Sequence, residues 1–144
     1  MDTENLRPAV DYLKDCVQDD RVKILHHWDM DGVASAAIIS KILRNERGKE
    51  ADDVSIPLER AYHLSEEERE NLHDFDKLIV LDFNLKADEL EELNEFIDVL
   101  VVDHHDFDRV PEVGFVNPRE FKEDAYVPCS KICLDIASEF GIED

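Results

Sequence analysis

The chain has 144 residues, 43% of them hydrophobic; that is enough for one domain with a real core and excludes wholesale disorder despite a 37% share of charged residues. Its 37 acidic side chains against 16 lysines and arginines leave a formal charge of −21, which argues against a domain that holds nucleic acid by bulk electrostatics. No apolar run approaches the ~20 residues of a membrane span, and Met1-Asp2-Thr3-Glu4 lacks the regions of a signal peptide, so a cytoplasmic protein with no membrane contact is expected.

In chain order, Glu4 to Val17 reads as a helix with Thr3 as its cap and Leu6, Val10, Leu13 and Val17 on one face. Val22 to Leu25 is a short strand, and a helix runs from Val33 to Arg47 with Gly48 as its stop. Val54 to Leu58 is a peripheral strand, because Pro57 has no N–H for a ladder. Ser65 and Glu68 form a capping-box pattern at the head of a helix reaching Leu72. Lys77 to Leu81 and Val99 to Val102 are nearly continuous apolar strands, the pattern of strands buried on both faces. A helix from Ala87 to Phe96 lies between them, a weaker strand follows at Val113 to Val116, and a helix from Pro128 to Phe140 closes the chain.

This alternation predicts an α/β fold with a mostly parallel sheet and helices on both faces. Open sheets of that kind bind ligands beyond the carboxyl ends of their strands, so the residues after Leu25, Leu81 and Val102 are the ones to inspect. They are His26-His27-Trp28-Asp29-Met30-Asp31-Gly32, Asp82-Phe83-Asn84 and Asp103-His104-His105-Asp106. If the three strands are neighbours ~4.8 Å apart, the clusters converge. Carboxylates crowded together raise one another's pKa, and divalent cations relieve the repulsion.

The spacing His27-x-Asp29-x-Asp31 suits a strand running into a turn, with Gly32 letting the backbone swing into the following helix. Taken alone, Asp31 reads first as a helix cap and the paired histidines as a surface or packing feature. Three such clusters at three strand ends favour metal. Carboxylate plus imidazole without thiolate suits manganese first and magnesium next. Two ions sharing a carboxylate would sit roughly 3.5–4 Å apart, an arrangement suited to in-line attack on phosphorus.

These residues resemble the motifs of the DHH phosphoesterase superfamily. Its eponymous triplet stands here as Asp103-His104-His105, its first motif as His27 to Gly32 followed by Ser35-Ala36, and its second as Leu81-Asp82. Asn117-Pro118 and the run Asp124 to Ser130 are similar to the segment that follows the triplet in archaeal RecJ-like proteins. The resemblance extends from about Val22 to the end and implies a Rossmann-like sheet. By it, Asp29 binds a first metal, Asp31 a second, and Asp82 bridges them, while His104 completes part of the second site. His27 is a further ligand, with the adjacent His26 as its rival. His105 contacts the substrate phosphate and Asp103 orients its neighbours.

The same resemblance implies one more aspartate and a smaller C-terminal domain, DHHA1. Neither fits within the chain, which is expected to be one DHH-type domain over 1–144, a fragment or a short member. The implied activity is hydrolysis of phosphodiesters in single-stranded DNA or RNA with two Mn2+ ions, Mg2+ being the alternative. The rival expectations are a hydrolase of small phosphates, such as a cyclic dinucleotide, a short oligonucleotide or pyrophosphate, and a replication scaffold that binds the GINS complex. Arg109 and Arg119 read as surface ion pairs ahead of phosphate contacts, and Trp28 as a packing residue or a base-stacking one. Cys16, Cys129 and Cys133, with no CxxC, read as reduced thiols, and Cys129 and Cys133 as small buried side chains.

Overall fold

Short runs of valine, isoleucine and leucine pair into one five-stranded sheet, every neighbouring pair parallel, in the order β2-β1-β3-β4-β5. The strands are β1 (Val22–His26), β2 (Asp53–Ser55), β3 (Lys77–Leu81), β4 (Asp98–Val102) and β5 (Gly114–Val116). This computed structural model describes residues 1–58 and 62–142; the expected domain over 1–144 also takes in 59–61 and 143–144, which lie outside the described residues. β3 is buried along its whole length, as its unbroken apolar run predicts. β2 stops at Ser55, short of Leu58, and lies at the sheet edge, as expected for a segment containing Pro57.

Alternation along the strands sends side chains to two cores. Ile24, Ile79, Leu81, Leu100 and Val102 pack with α1 (Thr3–Lys14), α2 (Met30–Arg47) and α5 (Cys129–Glu139). Leu25, Leu78, Val80, Val99 and Val101 pack on the other face with Leu90 and Leu93 of α4 (Ala87–Leu93) and with Leu72, which follows α3 (Glu66–Asn71). Helices therefore cover both faces. Cys129 and Cys133 lie fully buried in the first core, matching the packing expectation. No helix among the described residues is long and apolar enough to cross a membrane.

Several helix limits differ from the sequence expectation. α1 ends at Lys14, which leaves Val17 exposed, and Asp2 stands at the cap position in place of Thr3. α4 ends at Leu93, and Phe96 leaves the helix to stack on His73 at 4.1 Å. α2 starts at Met30, a turn earlier than Val33, because Asp29 Oδ1 accepts the Gly32 N–H at 2.8 Å and caps the helix. Ser65 and Glu68 close the expected capping box on α3, and Gly48 ends α2 with a φ of 82°.

The topology places one position apart from the rest. β2 lies on one side of β1, and the chain then crosses to β3 on the other, so the direction of strand addition reverses at β1. A crevice opens at such a reversal, beyond the carboxyl ends of the two strands.

Candidate metal centre

The strand ends are flush. His26 is opposite Leu81, Leu81 is opposite Val102, and Val102 is opposite Val116. The ladder then runs one residue further: the N–H groups of His27, Asp82 and Asp103 donate to the carbonyls of Leu81, Val102 and Val116 at 3.1, 3.0 and 3.0 Å. Each motif is thus anchored by backbone before its side chains turn away. Asp82 makes that turn with a φ of 55°, in the left-handed region that aspartate tolerates better than most side chains.

Among the described residues, ligand atoms gather in two groups, each within 4.8 Å. One comprises His27, Asp29 and Asp82, and the other Asp82, Asp103, His104 and His105. Asp82 belongs to both. It is 1% exposed, and no hydrogen bond of normal geometry from the described residues reaches either of its oxygens, although His104 Nε2 stands 2.9 Å from Oδ1. A buried carboxylate without partners costs upwards of about 1–3 kcal/mol. A cation meets that need, and the surrounding donors are oxygen and imidazole nitrogen. The residues present fit a divalent metal.

The charges of the metal-free rim lean the same way. Burial, with Asp29 and Asp31 nearby, holds the Asp82 carboxyl above the usual range against the pull of His104. Asp82 raises the affinity of His104 for a proton, and Asp103 does the same for His105, in both cases against burial. Burial pushes Asp29 upward, but the Gly32 N–H, Asp82 and His27 outweigh it and leave Asp29 below the ordinary value. Without cations Asp82, His104 and His105 each hold a proton more tightly than the free side chain does.

Each residue predicted for the site has a definite place. His27 Nδ1 lies 3.1 Å from Asp29 Oδ1, whereas His26 Nδ1 turns to the His27 carbonyl at 2.7 Å and joins neither group. Asp103 Oδ1 meets His105 Nδ1 at 2.6 Å, and His105 Nδ1 is 4.0 Å from Asp82. Asp31 stands apart. Its two oxygens accept the N–H groups of Cys129 and Ser130 at 2.9 and 2.8 Å, so it caps α5, and its Oδ2 is 3.6 Å from His104 Nε2. Burial raises the Asp31 carboxyl, but Ser130 and the Cys129 N–H more than offset that, so it stays ionised at lower pH than usual.

Gly32 differs from its expected role. It lies inside α2 and not among the positive-φ residues; what it supplies is space, because a Cβ there would lie 2.1 Å from the His27 carbonyl oxygen. Arg109 pairs with Asp88 and Glu91 on the surface, as expected. Arg119 does more. Its Nε donates to the His104 carbonyl at 2.9 Å while Nη1 holds Asp106.

Sequence reasoning assigned no role at the rim to two residues. Asn117, fully buried, donates from Nδ2 to the His105 carbonyl at 2.9 Å and accepts the Arg119 N–H at the same distance. The Asn-Pro pair was its only signal. Tyr62 reaches His27 Nε2 with its hydroxyl at 3.1 Å, and nothing in its local pattern points there. Asn117→Ala leaves the His105 carbonyl without that partner, so a loss of about 1–3 kcal/mol of stability is expected in chemical denaturation. An unchanged midpoint would remove Asn117 as the brace of this loop.

Comparison with known proteins adds three findings. A family model described as the DHH family, N-terminal domain, matches residues 21–140. No curated protein matches the chain significantly. Among solved structures, the exonuclease RecJ bound to manganese superposes with a TM-score of 0.71 at 23% identity, over 99% of this chain and 40% of its own. RecJ from Thermus thermophilus in complex with Mn2+ gives 0.73 at 24%, over 99% and 22%. CDC45 from Entamoeba histolytica gives 0.62 at 16%, over 97% and 30%. At these identities the likeness shows the fold, and the chain spans two-fifths or less of the length of each of the three.

Proposed function

The chain belongs to the DHH family, and from that membership and the rim around Asp82 we propose that it is a manganese-dependent phosphoesterase domain acting on single-stranded DNA or RNA. The observation that carries this reading is the buried Asp82, which belongs to both ligand groups and has the His104 imidazole at 2.9 Å beside it but no hydrogen bond of normal geometry from the described residues. His27, Asp29 and Asp82 would hold one ion; Asp82 and His104 would hold the other, with Asp31 within 3.6 Å of His104. Oxygen and imidazole donors without thiolate suit Mn2+, with Mg2+ second. Bound ions supply positive charge for a phosphate and lower the pKa of water enough to make a nucleophile near neutral pH.

The chain's own groups do the rest. Asp103 accepts a hydrogen bond from His105 Nδ1 and fixes the ring, and the raised proton affinity of His105 favours Nε2 as a donor to a phosphate oxygen. Asn117 and Arg119 hold the carbonyls of His105 and His104, so both imidazoles keep their place. The charge of −21 implies weak binding of long nucleic acid by this domain alone. Three buried free cysteines fit a cytoplasmic setting.

The test is hydrolysis in Mn2+ of a single-stranded oligonucleotide beside a dinucleotide and pyrophosphate. Release of mononucleotides from the oligonucleotide supports the reading. Turnover of only the small substrates moves the domain to the small-phosphate class. The likeness to CDC45 is compatible with a second reading, a replication scaffold, for which the family resemblance implies GINS as partner; manganese binding without any hydrolysis would favour it.

A pH dependence follows. His104 and His105 both hold protons above their ordinary value of 6.5, so their contribution to metal-free stability is present below that value and is lost as pH rises through the raised ones. His104, as a ligand, must shed its proton to take metal. The Mn2+-induced rise in melting temperature is therefore expected to grow between about pH 6 and pH 8. Melting curves with and without Mn2+ measure it, and a shift that is flat or shrinks over that range contradicts the assignment.

A further inference from the structure

Tyr62, in the segment between β2 and α3, is 54% exposed, yet it ties together the residues that follow β1 and β3. Its ring stacks on Phe83, the neighbour of Asp82, at 5.5 Å and an interplanar angle of 11°. Its hydroxyl lies 3.1 Å from His27 Nε2. The other ring nitrogen, Nδ1, faces inward: the Asp29 N–H donates to it at 3.3 Å, and Asp29 Oδ1 lies 3.1 Å away. In the tautomer in which Nδ1 accepts that N–H, the ring hydrogen sits on Nε2 and is donated to the Tyr62 oxygen. Two electron-rich atoms, Nδ1 and the Asp29 carboxylate oxygen, then face each other across 3.1 Å. That is tolerable when a cation lies between their lone pairs.

Resting on the metal reading of this rim, we propose that Tyr62 is a positioning residue: its hydroxyl accepts the His27 Nε2 hydrogen, fixes the tautomer, and so presents bare Nδ1 with Asp29 and Asp82 to the cation. Histidines that bind metals generally donate their second ring N–H to an oxygen, which sets both ring orientation and basicity. That partner is here a phenol whose ring is held by Phe83.

Tyr62→Phe removes only the hydroxyl and keeps the stacked ring. Two measurements on the full chain decide the matter: Mn2+ affinity by titration calorimetry, and the ring-nitrogen signals of His27 in long-range 1H–15N NMR of the metal-free protein. The variant is expected to bind Mn2+ about tenfold more weakly, with an unchanged metal-free melting temperature. Its His27 signals should move from a fixed Nε2–H form to an average of the two tautomers. An affinity within about twofold of the parent, or unmoved His27 signals, overturns the proposal. If the parent chain takes up no Mn2+, the metal reading fails by itself, and the NMR comparison still decides whether Tyr62 fixes the ring.

Discussion

Asp82→Asn is expected to abolish manganese binding while leaving the metal-free protein at least as stable as the parent. The two effects have one cause. The Asp82 carboxylate is buried beside Asp29 and Asp31 with no hydrogen bond of normal geometry from the described residues to either oxygen, so its charge is a liability until a cation arrives. Asparagine has the same shape and tolerates the φ of 55° at this position, so the backbone need not move. Removing the charge should stabilise the metal-free fold by about 1 kcal/mol or more. Losing the ligand shared by both groups should lower hydrolysis by about a thousandfold or more, the equivalent of several kcal/mol of charge stabilisation. Melting curves with and without Mn2+ separate the two, because the parent rises with metal and the variant does not. A variant that keeps the full Mn2+ shift takes Asp82 out of the site.

Gly32→Ala has the second-largest expected effect, and its sign depends on two opposed magnitudes. Alanine in place of glycine inside a helix ordinarily gains about 0.5–1 kcal/mol. Here the new methyl group would sit 2.1 Å from the His27 carbonyl oxygen, 2.7 Å from its carbon and 2.9 Å from its Cβ. Two of those atoms are backbone, which cannot swing aside as a long side chain can. Overpacking of this kind costs about 1–3 kcal/mol and sometimes more, so the clash wins. The segment that must yield carries His27 and Asp29, so a lower melting temperature and weaker Mn2+ binding should appear together. Gly48→Ala is the control. It meets nothing closer than 4.0 Å, and its φ of 82° leads to an expected cost of about 1 kcal/mol from strain, with unchanged metal affinity. A Gly32→Ala protein with parental stability and affinity would show that α2 does not approach His27 so closely.

Most of the site could be read from the chain because its residues follow directly on strands. A buried parallel strand is an unbroken apolar run, so Leu81 and Val102 mark their own ends, and Asp82 and Asp103 stand out as the first polar groups beyond. The choice between His26 and His27 was not legible, since adjacent residues share every local property; only the turn after β1 sends His26 to a backbone carbonyl. Asp31 was legible as an important carboxylate, but its closest partners, the first N–H groups of α5, lie 98 and 99 residues away. Gly32 read as a residue of the turn, because a glycine that supplies room looks the same in sequence as one that supplies a positive φ.

By itself the amino-acid sequence determined which elements form and where carboxylates and imidazoles follow them. Those are local consequences of side-chain periodicity and of the change from apolar to polar residues. Strand order and register were decided only in three dimensions. β1 and β3 became neighbours with their ends flush because each buries both faces in the middle of the sheet, and no local pattern encodes that pairing. The same holds for Tyr62 and Asn117, which reach His27 and the His105 carbonyl across 35 and 12 residues of chain. Contacts of that separation depend on how helices pack against the sheet, and so on the free energy of the whole core rather than of any one segment.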